Sequence, residues 1–132
     1  SGGEPHRPPV DAPIIDGFRP PDAPWLPGNR GLEYDTEPGE PVHASSVGIV
    51  TFAGQVGGHL FVTVDHGSGL RTTVGFVEQV LGVTGDRVST GMVIAVAGDT
   101  MHFTARRAGN YIDPESLFWK VRVVVRLVEG PG

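Results

Sequence analysis

The chain has no cysteine among its 132 residues. That removes a disulfide framework, a thiolate zinc site, an iron–sulfur centre and a cysteine nucleophile together. It also has almost no lysine: Lys120 stands alone beside nine arginines, and the net charge is -5. No basic stripe of the kind that tracks a phosphate backbone is present, so nucleic acid is not an expected partner. No apolar run approaches the length of a membrane span, and no secretory leader opens these residues. What the chain has instead is turn formers. Glycine and proline supply 20 and 12 residues, about a quarter of the total. Hydrophobic residues still make up 39%, enough for the core of one domain.

Proline is unevenly spread, with ten of the twelve before residue 42. Residues 1–12 therefore read as a flexible Pro-rich tail or linker, and 13–132 as the folded domain. Pro13 to Phe18 reads as an edge strand, followed by a Pro-rich loop to Gly28. From Ser46 the texture is β. Strands are expected around Val47–Thr51, Leu60–Asp65, Leu70–Gly75, Met92–Ala97, Met101–Arg106 and Val121–Leu127. Turn signals separate them at Gly54–Gly58, Gly67-Ser68-Gly69, Gly85-Asp86, Gly98-Asp99 and Gly109-Asn110. Two short helical pieces are expected, Glu78–Leu81 and a turn at Pro114–Leu117 capped by Asp113. Close-spaced short strands predict an all-β sandwich or small barrel.

Five histidines are present, His6, His43, His59, His66 and His102, and no two have the local spacing of a metal-binding pair. No nucleophile elbow, phosphate loop or dinucleotide fingerprint occurs. The order of the segments is more informative. Gly28-Asn29-Arg30-Gly31-Leu32-Glu33-Tyr34 leads to Pro38-Gly39-Glu40-Pro41-Val42-His43-Ala44 and then Gly48-Ile49-Val50-Thr51-Phe52-Ala53-Gly54. Val64-Asp65-His66-Gly67-Ser68-Gly69-Leu70-Arg71-Thr72-Thr73, the Gly85–Ala95 stretch, His102-Phe103 and Tyr111–Leu117 follow. Over Pro13 to Phe118 this succession resembles the LytM/lysostaphin-type zinc metallopeptidase domain, which cuts peptidoglycan cross-links. The resemblance implies a β-rich duplicated hybrid motif with an open groove and a workplace outside the cytoplasm.

The resemblance also assigns positions. Its first zinc-ligand histidine falls on Asn29, its aspartate ligand on Glu33 and its last histidine ligand on His102. The two histidines that assist catalysis fall on Phe76 and Thr100. Only His102 keeps the family residue. An amide oxygen is a poor zinc donor, and phenylalanine and threonine cannot shuttle a proton as imidazole does. The expected state is degenerate: no catalytic residue, no bound zinc and no other cofactor. Arg30, Tyr34, Phe76, Arg106 and Arg107 are the candidate groove or partner contacts. Glu33 reads as a carboxylate beside Arg30 or Arg71, Phe76 as apolar bulk filling the groove, and His66 as a turn residue.

The expected role, by analogy with degenerate members, is a non-catalytic regulator in the bacterial cell envelope. Its partner would be a peptidoglycan hydrolase or amidase, an envelope division protein, or the peptidoglycan itself. The arginine skew suggests an actinobacterial source. Two alternatives stay open: a divergent zinc endopeptidase using Glu33, His102 and Asn29 or water, and a structural piece of a larger envelope protein.

Overall fold

The computed structural model describes residues 5–118. Within them lie eleven strands and one 3-10 turn. The strands are β1 (Ile14–Asp16), β2 (Gly31–Tyr34), β3 (Pro41–His43), β4 (Gly48–Val56), β5 (His59–Gly67), β6 (Leu70–Val77), β7 (Gln79–Val80), β8 (Arg87–Val88), β9 (Val93–Val96), β10 (Met101–Arg107) and β11 (Asn110–Ile112). The main sheet runs β1-β2-β10-β6-β5-β4-β8, with β11 also on β10, and a small sheet runs β3-β9-β7. The strand pairs in both sheets are antiparallel. The all-β expectation holds.

Three two-residue hairpins build the centre of the sheet. Gly57-Gly58 joins β4 to β5, Ser68-Gly69 joins β5 to β6, and Ala108-Gly109 joins β10 to β11. All six residues have positive φ, from 51° at Ala108 to 86° at Gly58 and Gly109. That is the mirror-image turn whose twist matches a right-twisted strand pair. Two glycine-bearing signals in the sequence mark these turns closely; the third turn sits one residue before the expected Gly109-Asn110.

Period-two alternation then sorts the two faces. On β10, Met101, Phe103 and Ala105 are buried while His102, Thr104 and Arg106 face the other way. On β2, Leu32 and Tyr34 enter the core and Glu33 does not. On β6, Leu70, Thr72 and Val74 are buried, and parity would then bury residue 76. A bulge intervenes. Leu60 pairs with Val77 and Phe61 with Gly75, so Phe76 is the extra residue. Phe76 adopts φ 58°, which costs a side-chain-bearing residue about 1–2 kcal/mol. The bulge turns Val77 into the core, and burying such a side chain returns about 1.5–3 kcal/mol. It also swings Phe76 outward onto the other face.

Two expectations are corrected. Residues 5–12 are not a loose tail: His6, Pro9 and Val10 are buried, and Val10 belongs to the main core. Arg7 N–H donates to Ser45 O, and Pro9 O accepts from His43 N–H. Proline lacks a donor but keeps its carbonyl and an apolar ring, so a proline-rich run can strap a sheet as well as link domains. Glu78–Leu81 is no helix. Glu78 N–H and Leu81 N–H donate to Val96 O and Ile94 O, and β7 pairs with β9, because four residues make too few internal bonds to hold a helix. The 3-10 turn Pro114–Leu117 forms as expected, with the Asp113 carboxylate accepting from Glu115 N–H at 3.0 Å. The expected strand Val121–Leu127 lies outside the described residues.

Candidate functional site

Antiparallel register builds the site as rows across the sheet. Asp16, Glu33, His102, Gly75 and Phe61 stand opposite one another on β1, β2, β10, β6 and β5. One step along the strands, Gly31, Thr104, Thr73 and Thr63 form the next row. A third row is Tyr111, Arg106, Arg71 and Asp65. The first two rows, with Tyr111 and Arg106 of the third, floor an open groove of about 630 Å³, walled by Gly28, Asn29 and Arg30 on one side and by Phe52 and Val56 on the other. Gly75 is required by close approach: a Cβ there would meet the Phe61 ring at 2.6 Å. The Phe61 ring therefore lies across the sheet beside His102.

Asn29 is the pivot of the groove's wall. It is 6% exposed, and its carboxamide makes three hydrogen bonds. Nδ2 donates to Asp16 O at 3.1 Å, and Oδ1 accepts from Gly31 N–H at 3.0 Å. Those two partners, a pure acceptor and a pure donor, fix which way the amide points. Oδ1 therefore faces His102 Nε2, 3.0 Å away, and the imidazole must donate from Nε2. Burial holds His102 below its ordinary pKa, against the opposing pull of the Glu33 and Asp16 carboxylates, so the ring is neutral near pH 7. Asn29 also pairs through its backbone with Arg19, closing the 19–29 loop at its base. Asn29→Ala leaves Gly31 N–H and His102 Nε2–H without their acceptor, and urea titration is expected to show a loss of about 2 kcal/mol.

A catalytic zinc needs about three protein donors and one open position. Here Asn29 Oδ1 is already occupied by two N–H donors. Both oxygens of Asp16 are held by Arg19 Nη2, at 2.9 and 3.0 Å. Glu33 and His102 Nδ1 remain. Among the described residues no three His, Asp or Glu side chains gather to hold a metal ion. The residues present do not fit the zinc that the resemblance implies.

Phe76 and Thr100 flank His102 on the side away from the main groove. The Phe76 ring is 44% exposed and touches three rings: His59 at 4.4 Å, Phe61 at 5.4 Å and His102 at 6.1 Å between centroids. It covers the flank of His102 rather than filling the groove. Neither Phe76 nor Thr100 can exchange a proton at neutral pH.

Of the candidate contacts, Arg30 and Arg106 line the groove. Tyr34 does not: it is 2% exposed in the core, because Glu33 takes the groove face of β2. Arg107 does not either. It lies on the opposite face of β10, where its charge acts on buried His6. Glu33 stands beside His102 rather than beside an arginine. Arg30 Nη2 donates to Pro24 O, and Arg71 pairs with Asp65 at 3.5 Å. His66 is no simple turn residue: Nδ1 donates to Val47 O, and Nε2 accepts from the Thr72 hydroxyl. The sequence reading missed Asp16, Phe61, Thr63, Thr73, Thr104 and Tyr111. Parity from His102 reaches Thr104; the others are brought in by cross-strand register.

The sequence and the fold are similar to those of known proteins. Rv2891, an uncharacterised protein of Mycobacterium tuberculosis, is 30% identical over 143 residues, which is 98% of this chain and 56% of that protein. The DD-carboxypeptidase/endopeptidase Mpg of Neisseria meningitidis is 32% identical over 97 residues, 67% of this chain and 22% of its own length. The chain thus spans about half the length, or less, of these curated relatives. A solved chain of the SpoIIQ–SpoIIIAH pore-forming complex shares the fold with a TM-score of 0.75 at 21% identity, covering 96% of this chain and 99% of that one. The model of peptidase family M23 matches residues 27–114, and this chain belongs to that family.

Proposed function

We propose that this M23 domain works by binding and does not cut. It carries no catalytic zinc and acts in the bacterial cell envelope, outside the cytoplasm, as a regulator of a peptidoglycan hydrolase such as an amidase, or as a module that holds cell-wall material. The observation that carries this reading is the Asn29 carboxamide. It stands where a metal-binding side chain would be needed and spends its oxygen on Gly31 N–H and His102 Nε2–H. Phe76 and Thr100 supply no acid–base group in its place. The groove nevertheless stays open and chemically varied, as a binding site requires. Mpg is named for a peptidase activity and SpoIIQ for a complex with a second protein; binding without cutting aligns this chain with the second kind of use.

The test is digestion of purified cell-wall sacculi. Alone, with zinc added, the protein is expected to release no soluble fragments, while it accelerates release by a hydrolase from its own host. Zinc-dependent release by the protein alone would establish the divergent endopeptidase instead. Among the described residues no helix is long and apolar enough to cross a membrane.

A further inference from the structure

Charge is unevenly placed along the groove. At the Asn29 end the carboxylates of Asp16 and Glu33 stand with two guanidiniums: Arg19 holds Asp16, and Arg30 lines the same wall with its Nη2 on Pro24 O. At the hairpin end Arg106 stands directly opposite Arg71 on the neighbouring strand. Like charges in that relation repel, and in a chain of net charge -5 such a pair is conspicuous. Asp65 offsets Arg71 in part at 3.5 Å. Arg106 has no carboxylate within ion-pair distance among the described residues. Its guanidinium instead lies 5.9 Å from the centroid of the half-exposed Tyr111 ring, which holds it without neutralising it.

Space accompanies the charge. Arg71 and Arg106 share a pocket of about 250 Å³ with Gly69 and Gly109, the second residues of two hairpin turns. A side chain added at Gly109 would meet nothing within 4 Å, so that flank of the pocket is open to an incoming group. Arg106 lines this pocket and the main groove at once. Between the two ends the floor is neutral, with the Thr63, Thr73 and Thr104 hydroxyls and the Phe61 ring. His102 and Arg106 are four residues apart on β10, about 13 Å along an extended strand. An extended peptide of about four residues has the same span between its termini.

We infer that Arg71 and Arg106 form a carboxylate-binding site, and that the groove takes a short extended peptide in one direction, its C-terminal carboxylate on the arginines and its amine toward Glu33. A planar guanidinium gives a carboxylate two parallel N–H donors, which an isolated lysine cannot. The assignment rests on the groove being a binding site rather than a cutting one.

The test titrates the 15N-labelled protein with tetra-alanine, with its C-terminal amide, with its N-acetyl form and with inorganic phosphate. Free tetra-alanine is expected to shift the Arg106 Nε–Hε and Tyr111 ring signals. The amide is expected to bind at least tenfold more weakly, as is the free peptide to Arg106→Gln, and acetylation to weaken binding less. Equal binding of peptide and amide overturns the carboxylate site. So does absence of binding by any peptide, or phosphate binding as tightly as the peptide, which would make the arginines a simple anion site. Cleavage of tetra-alanine would contradict the non-cutting reading instead, so the two failures are distinguishable.

Discussion

Val10→Asp is expected to cost at least about 3 kcal/mol of stability, because it places a carboxylate without a partner in the apolar core. Val10 is 2% exposed among the main core residues, although the sequence around it is half proline and looks like a linker. Its segment is held at two points just before it: Arg7 N–H donates to Ser45 O, and His43 N–H donates to Pro9 O. His6 N–H donates to Leu117 O, so the same run ties the start of the domain to its far end. Val10→Ala, which only removes two methyl groups, should cost about 1.5 kcal/mol. Urea titration measures both. Losses within about 0.5 kcal/mol for both substitutions would mean that residues 5–12 are a surface tail after all.

Acid should destabilise the domain before its carboxylates titrate. His6 is buried, and its pKa is pushed down to about 4, first by burial, then by the charges of His66 and Arg107. The two rings meet edge to face at 4.7 Å, and His6 Nδ1 bonds the Ser45 hydroxyl at 2.7 Å. Unfolded, His6 titrates near 6.5, so between pH 6.5 and 4 the unfolded chain binds the extra proton. Stability is therefore full above pH 6.5 and falls as pH drops toward 4, by about 3 kcal/mol from this group. Burial also lowers His66, against its bond to Val47 O and the Asp65 carboxylate, and lowers His102; both losses have the same sign. Urea midpoints at pH 7, 5.5 and 4 should decline steadily, and His6→Gln should flatten the decline. An unchanged midpoint between pH 7 and 5 would contradict this.

The strands and hairpins were legible because both signals are local. Alternation on Met101–Arg106 and paired turn residues at Gly57-Gly58 and Ser68-Gly69 depend on neighbours in the chain. The strap was not legible. Proline content describes what a segment cannot donate, whereas Val10 is placed by a core assembled from distant strands. Glu78–Leu81 was misread for the same reason, since its partners are Val96 and Ile94. The degenerate positions Asn29, Glu33 and His102 were legible through the order of segments, and the fold does bring them together. Tyr34 could have been excluded from the groove by parity with Glu33. Asp16, Phe61 and Arg71 could not have been found, because only cross-strand register brings them to His102 and Arg106.

The central claim is that the Asn29–His102 hydrogen bond occupies the place of a metal centre. Zinc titration followed by 15N signals of the His102 ring tests it most directly. Nε2 is expected to keep its proton, and one equivalent of zinc is expected to move neither ring nitrogen. Stoichiometric binding with loss of the Nε2 proton, abolished by Glu33→Ala, would contradict it.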